Sequence, residues 1–234
     1  MNLLVLGRGK TGALVAEVAQ ERGHDVRTLA SAENAHAAGL TADALNGVDV
    51  VIDFTAPAAV LENIAACLSN GENMVVGTTG WSAELPRIRQ RVEQAGTGFV
   101  HSSNFSIGVN VFFEIAKAAS AALQNGYTAR IIERHHAQKK DAPSGTAITL
   151  RNCLLSEPES LTKPEDKIEI ASIREGDAVG QHVILLDSPN DTLMLVHDAK
   201  SRRGFAQGAV LAAEWLKGKR GFFDFRDVLK SGAK

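Results

Sequence analysis

Only two cysteines occur in the 234 residues, Cys67 and Cys153, and they form no Cys-x-x-Cys pair. That scarcity argues against a disulfide framework and a cysteine-based structural zinc, and it fits a reducing, cytoplasmic setting. An excess of one charge is also missing. The 25 Lys and Arg stand against 27 Asp and Glu, for a formal net charge of -2. No general attraction to nucleic acid or to an anionic membrane follows, so any anion site must be local. The N-terminal apolar run ends at Gly7 with no basic region before it, too short for a membrane span and unlike a signal peptide. There is no internal repeat and no low-complexity tract. No G-x-S-x-G elbow surrounds Ser144, which argues against a serine hydrolase.

What is present is an ordinary globular composition, 44% hydrophobic and 22% charged, in 24.9 kDa. That is room for one large domain or two small ones. The first hundred residues alternate strands and helices. Strands are expected at 2–6, 25–29, 50–54, 74–76 and, as an edge, 99–100, with helices at 11–22, 58–68 and 83–94. This alternation implies βαβ units and a parallel sheet. From about residue 106 the pattern changes. A long helix at 109–123 precedes a strand at 128–134, a helix from 145 to about 155, and strands at 168–172, 182–187 and 192–197. The middle section reads as α+β with a mixed, mostly antiparallel sheet. Residues 156–167, charged and proline-containing, read as a surface loop. A helix at 205–216 follows, and the aromatic tail 221–225 is expected to pack back on the first domain.

Gly7-Arg8-Gly9-Lys10-Thr11-Gly12 is a G-x-G-x-x-G placed directly between a strand and a helix. The first glycine permits a sharp turn, the second lets a pyrophosphate approach the backbone, and the third allows close helix–strand packing. The plain alternative is a glycine turn that only joins the two elements. A ribose-binding acid is expected at the end of the second strand, but Ala30 and Ser31 stand there and Glu33 lies two residues beyond. Ser31, Arg8 and Lys10 favour NADPH, while a Glu33 that reaches the ribose favours NADH; both stay open. Phe54-Thr55 and Gly77-Thr78-Thr79-Gly80 fall at the carboxyl ends of strands, where α/β sheets bind ligands and where small residues let a flat ring lie on the backbone.

The densest chemistry lies in Glu133 to Thr146: His135, His136, Lys139 and Lys140, then Pro143-Ser144-Gly145-Thr146 opening a helix. His135 is a proton donor by type. Lys139 supplies a cation, and the N–H groups of Ser144, Gly145 and Thr146 suit a carboxylate. Pro143 favours the first helical turn. Taken singly, each has a plain reading as a structural histidine or a helix cap. The adjacent histidines have no third ligand at metal spacing, so no metal is expected.

These segments, with Asp53-Phe54-Thr55, Asn104 to Asn110, Arg174-Glu175-Gly176 and Phe223 to Leu229, run nearly the whole length and resemble the dihydrodipicolinate reductase (4-hydroxy-tetrahydrodipicolinate reductase) family. The resemblance implies a Rossmann-like dinucleotide-binding domain, 1–106 with 207–234, and a substrate-binding and oligomerisation domain, 107–206. It implies a homotetramer and reduction of a small cyclic dicarboxylate by NADPH or NADH in lysine and diaminopimelate biosynthesis. By position, His135 and Lys139 would be catalytic, and His136, Lys139, Ser144, Gly145 and Thr146 would hold the substrate. Gly7, Arg8, Gly9, Lys10, Thr11, Gly12, Ser31, Phe54, Thr55, Gly77, Thr78, Thr79, Ser103, Asn104 and Phe105 would bind cofactor. The chain departs from the family in a shorter glycine loop, in the missing acid near Ser31, and in a compressed stretch at 31–48. A reductase of another imine or amino acid, and a non-catalytic nucleotide sensor, are the alternatives.

Overall fold

The computed structural model describes residues 1–155 and 168–231. The expected surface loop at 156–167 lies outside the described residues. The chain divides into two compact units, Met1–Ile107 with Arg202–Lys234, and Gly108–Ser201.

The first unit is a parallel sheet of six strands: β1 (Asn2–Leu6), β2 (Asp25–Leu29), β3 (Val50–Asp53), β4 (Met74–Val76), β5 (Gly98–His101) and β10 (Gly221–Asp224). Their order is β10-β5-β4-β3-β1-β2. Strand residues alternate between two cores, as the two-residue pleat requires. Leu3, Val5, Val50, Ile52, Val75 and Val100 face α1 (Lys10–Glu21) and α8 (Arg203–Leu216). Leu4, Leu6, Val51, Met74, Val76 and Phe99 face α3 (Pro57–Ser69) and α4 (Leu85–Ala95). With both faces covered, the four inner strands β1, β3, β4 and β5 read as near-continuous apolar runs, while the edge strands β2 and β10 are less buried. The chain leaves β1 toward β2 on one side and β3 on the other, which places a topological switch point, and a ligand crevice, at their carboxyl ends.

Some expectations are corrected. The strand at 99–100 is no edge: β10 pairs with β5 in parallel, Phe222 opposite Phe99. The aromatic tail therefore becomes the sixth strand, and α9 (Phe225–Ser231) then buries Phe225 and Val228. The single helix at 109–123 is two, α5 (Ile107–Ala119) and α6 (Ala121–Gln124). At the break, the Ser120 hydroxyl donates to the Lys117 carbonyl at 2.7 Å and competes with the helical ladder. The compressed stretch after β2 holds a short 3-10 turn, Ala35–Ala37, and one turn of helix, α2 (Ala42–Leu45).

The second unit has a four-stranded mixed sheet, ordered β7-β6-β8-β9. Its strands are β6 (Thr128–His135), β7 (Glu169–Arg174), β8 (Gln181–Asp187) and β9 (Thr192–Asp198). Only the β6–β7 pair is parallel. Helices α5 and α7 (Gly145–Leu154) cover one face, where Ile131, Ile184 and Leu186 meet Phe112, Phe113 and Leu150. Among the described residues, no helix of this unit covers the opposite face. Ile132, Val183 and Val196 lie in one row there, Leu185 and Met194 in the next, with Ile173 on β7.

Candidate active site

The glycine loop separates into three roles. A Cβ on Gly7 would lie 2.3 Å from the Phe54 carbonyl oxygen, and one on Gly12 would lie 2.1 Å from the Gly7 oxygen. Both glycines are required by the protein's own packing. Gly9 differs, because a Cβ there would meet nothing within 4 Å. It caps α1 with no side-chain hydrogen bond, and the first turn of that helix carries no acid. Bare backbone at an open helix N-terminus fits a pyrophosphate. Lys10 is exposed and Thr11 half-buried beside it.

Arg8 reaches across to the end of β2, where its guanidinium donates to the Thr28 hydroxyl at 2.9 Å and the Thr28 carbonyl at 3.0 Å. It pairs with Glu33 at 3.1 Å, and Glu33 also accepts from Ala30 N–H at 2.7 Å. A guanidinium and a carboxylate thus stand together in the region where a ribose acid is expected, with Ser31 exposed next to them.

At the ends of β3 and β4, Gly77 has a packing reason of its own: the Phe54 ring fills the place its side chain would take, 2.3 Å from a built Cβ. The Thr78 hydroxyl donates to Asp53 at 2.6 Å and accepts from Thr55 N–H at 2.7 Å, while its carbonyl accepts from Trp81 Nε1 at 2.7 Å. Thr78 therefore holds these loops together, and it is Thr79 that is exposed. A cavity of about 250 Å³ opens beside them, lined by Thr79, Trp81, Ser82, His101, Ser103 and Asp224 among others. Asn104 folds its loop by accepting from Ser106 N–H at 2.8 Å, and Phe105 is buried between Phe54 and Phe225.

In the second unit, β6 carries Ile131, Glu133 and His135 inward, all buried. His135 Nδ1 meets the Glu133 carboxylate directly. Register places Arg174 of β7 beside His135, and its guanidinium donates to Glu133 Oε1 at 2.6 Å and to the Asp141 carbonyl at 2.6 Å. Burial opposes the charge on Glu133, but hydrogen bonds from Arg174 and Ser172 and the neighbouring His135 hold its carboxyl at about 2. For His135, burial wins the other way. It lowers the imidazole's proton affinity against the pull of Glu133, with Lys139 and Arg174 pushing the same way as burial.

His182 of β8 stands edge-on to His135, ring centroids 5.1 Å apart, and shares a hydrogen bond with the Ser144 hydroxyl at 3.2 Å. Burial, with the charge of His135, lowers it to about 3. Glu133, His135 and His182 bring three metal-ligand atoms within 4.8 Å, so the third partner that sequence spacing lacks comes from another strand. The Glu133 oxygens, however, are spent on His135, Arg174 and Ser144, and the guanidinium beside them repels a cation. The cluster is a hydrogen-bonded network.

Ser144 is the N-cap of α7, its hydroxyl accepting from Ala147 N–H at 3.2 Å. Pro143 precedes the cap and so lies outside the first turn, joined to Ala142 by a cis bond. The Ser144 N–H already donates to Glu133 at 3.3 Å, so it is not open to a ligand as expected. Gly145 is exposed with open space around it, and Thr146 is half-buried next in the turn. Lys139 is not unpaired either, since it forms both contacts with Asp141, at 2.7 and 2.9 Å. His136 Nδ1 is buried without a hydrogen-bond partner among the described residues.

Sequence pattern alone gives Glu133 and Arg174 no role of their own and does not single out His182. The readable signal is a charged residue, Glu133, at the inward phase of a strand between Ile131 and His135. Nothing in the sequence marks His182 beyond its alternation with Ile184 and Leu186.

Fold and sites together define a two-part α/β protein that pairs a dinucleotide-type glycine loop with a separate buried acid–base cluster. Family models described as dihydrodipicolinate reductase, N-terminus and C-terminus, match residues 1–105 and 108–229. The chain belongs to the dihydrodipicolinate reductase family. A 4-hydroxy-tetrahydrodipicolinate reductase of Christiangramia forsetii is 39% identical over 98% of each chain. One from Chromobacterium violaceum is 43% identical over 80% of this chain and 75% of its own. Among solved structures, a dipicolinate-bound dihydrodipicolinate reductase from Paenisporosarcina sp. TG-14 shares the fold, with a TM-score of 0.75 at 23% identity over 97% of this chain and 98% of that one.

Proposed function

We propose that this protein reduces 4-hydroxy-tetrahydrodipicolinate to tetrahydrodipicolinate with NADPH or NADH, in the cytoplasm, as a step toward diaminopimelate and lysine. Full-length likeness to reductases of that name supports the reading. The observation that carries it is the buried Glu133–His135 pair set beside the N-terminus of α7. The open backbone at Gly9 fits a dinucleotide, with Arg8, Lys10, Thr11, Ser31, Phe54, Thr55, Thr79, Ser103 and Asn104 as its surroundings and Gly7, Gly12, Gly77, Thr78 and Phe105 shaping them. When bound, the dinucleotide supplies a hydride. Arg8 would meet a 2′-phosphate and Glu33 a ribose hydroxyl, which supports use of either form.

A cyclic dicarboxylate would rest one anionic group on the helix N-terminus at Gly145 and Thr146. His136 Nδ1, buried and without a partner among the described residues, suits the same anion. Lys139 would exchange Asp141 for the substrate, a swap between two carboxylates of like chemistry. Negative charge grows on the ring as it is reduced, and a fixed cation and donor already aimed there stabilise it. His135 holds the proton the product takes up.

The sheet face that no described helix of the second unit covers exposes Ile173, Met194 and Val196 at 41%, 63% and 51%. That apolar area supports packing of copies of this chain into the homotetramer the family resemblance implies.

Steady-state reduction with each dinucleotide in parallel tests the assignment. His135→Gln and Lys139→Ala are expected to cut kcat by roughly 10²-fold or more. A loss under about threefold in both removes their roles. Negligible turnover beside strong turnover of another cyclic imine removes the substrate.

A further inference from the structure

Among the described residues of the second unit, Glu133 is an ionisable group fully hidden from solvent, and its partners are a guanidinium, an imidazole and a backbone N–H. Oε1 takes the Arg174 guanidinium at 2.6 Å and the Ser144 N–H at 3.3 Å, and Oε2 takes His135 Nδ1. An imidazole whose Nδ1 proton is held by a carboxylate presents Nε2 as its working atom. We propose that Glu133 is the positioning residue of this site: it fixes the tautomer and aim of His135 and favours its protonated form, while Arg174 locks the carboxylate in place. The proposal rests on the reading of His135 as proton donor.

The charges around His135 make such help necessary. Arg174 stands in register on β7, Lys139 and Asp141 follow in the loop after β6, and His182 lies across the antiparallel ladder on β8. Two fixed cations, Lys139 and Arg174, oppose a proton on His135, and His182, kept neutral, brings no charge to offset them. Asp141 is engaged by Lys139, which leaves Glu133 as the one carboxylate in direct contact with the ring among the described residues. Its inward place between Ile131 and His135 on β6 also denies it water, so the contact is not weakened by solvent. The same carboxylate receives the N–H of the α7 cap, which ties the proton donor and the anion-facing helix end to one group.

The test is the pH profile of kcat in Glu133→Gln. The limb on which activity falls as His135 loses its proton should move down by about one pH unit or more, as expected for loss of an adjacent opposite charge. Activity at pH 8 should fall on the order of tenfold and recover substantially in acid, given the tenfold change per unit. A uniform loss with the limb in place would show a merely structural role and overturn the proposal. Should Glu133→Gln fail to fold around an orphaned guanidinium, the double variant Glu133→Gln with Arg174→Met removes both charges. Its limb should still move down, though by less, because the Glu133 carboxylate is hydrogen-bonded to the ring and its pull on the proton exceeds the opposing push of Arg174. The unaltered protein offers an independent check through imidazole ¹⁵N shifts. A proton on Nδ1 of neutral His135 is expected, and a bare Nδ1 would refute the assignment. If His135→Gln keeps its kcat, the reading of His135 is what fails. If it collapses while Glu133→Gln leaves the limb unmoved, only this proposal falls.

Discussion

Asp53 in the first unit and Glu133 in the second are both fully buried carboxyl groups, and the chain accommodates them differently. Asp53 is caged by neutral donors: Thr55 N–H at 3.0 Å, the Thr55 hydroxyl at 2.7 Å, the Thr78 hydroxyl at 2.6 Å and Asn63 Nδ2 at 2.8 Å. Asn63 passes the chain on, accepting from Asn34 at 2.9 Å, and Asn34 accepts from Gly39 N–H at 3.1 Å. The loops after β2, β3 and β4 are thereby tied to one acceptor. Glu133 is instead held by a guanidinium and an imidazole. Neutral donors keep their geometry whatever the pH and suit a scaffold. A fixed cation keeps the Glu133 carboxylate charged, and a partner that gains and loses a proton, the His135 imidazole, makes it part of the chemistry.

The largest effect is expected at the Asp53 cage. Asp53→Asn turns an amide N–H₂ against hydroxyl and amide donors, and each unmet buried group costs about 1–3 kcal/mol. Urea unfolding should show the first unit destabilised by roughly 2 kcal/mol or more, with weaker dinucleotide binding. A change below about 0.5 kcal/mol would mean the cage is ornamental.

Acid should weaken the second unit next. The Glu133 carboxyl lies at about 2 in the fold against an ordinary 4.5, so its stabilisation is complete above 4.5 and lost as pH falls toward 2. His182 lies at about 3 against 6.5, because the fold keeps it neutral, and stability again declines as pH falls from 6.5 toward 3. The second unit should therefore lose stability with acid beginning below 6.5. Unfolding followed against pH checks this, and His182→Phe should remove the upper part of the decline.

The smallest effect is expected at Asp141, which is exposed and paired with Lys139. Asp141→Asn frees the ammonium and should tighten binding of pyridine-2,6-dicarboxylate by about two- to fivefold, the scale of a surface ion pair. Weaker binding would show that Asp141 orients Lys139 rather than competing for it.

Much of the fold was legible because the first unit's four inner strands, β1, β3, β4 and β5, are buried on both faces and its elements are punctuated by Gly7, Gly23, Gly47 and Gly71. The place of β10 was only half legible. The aromatic tail called for burial, but parallel pairing with β5 depends on contacts between distant parts of the chain, which no local pattern carries. The glycine loop was readable in kind, yet only the folded structure separates Gly9, bare toward solvent, from Gly7 and Gly12, bare for packing. In the second site His135, Lys139 and the α7 cap came from one segment, whereas Arg174 and His182 arrive by strand register. The pairing of Lys139 with Asp141, and of Ser144 N–H with Glu133, was hidden for the same reason: side chains meet in space.

The far end of the chain completes the first sheet, and this has a consequence for biosynthesis. A ribosome releases residues 1–107 long before α8 and β10 exist, so one flank of β5 and much of the core formed by Ala209, Val210 and Ala213 must wait. The contiguous stretch 108–201 has all its strands in hand earlier. The nascent nucleotide-type unit therefore spends most of translation with an unfinished edge, the kind of surface on which chaperones act.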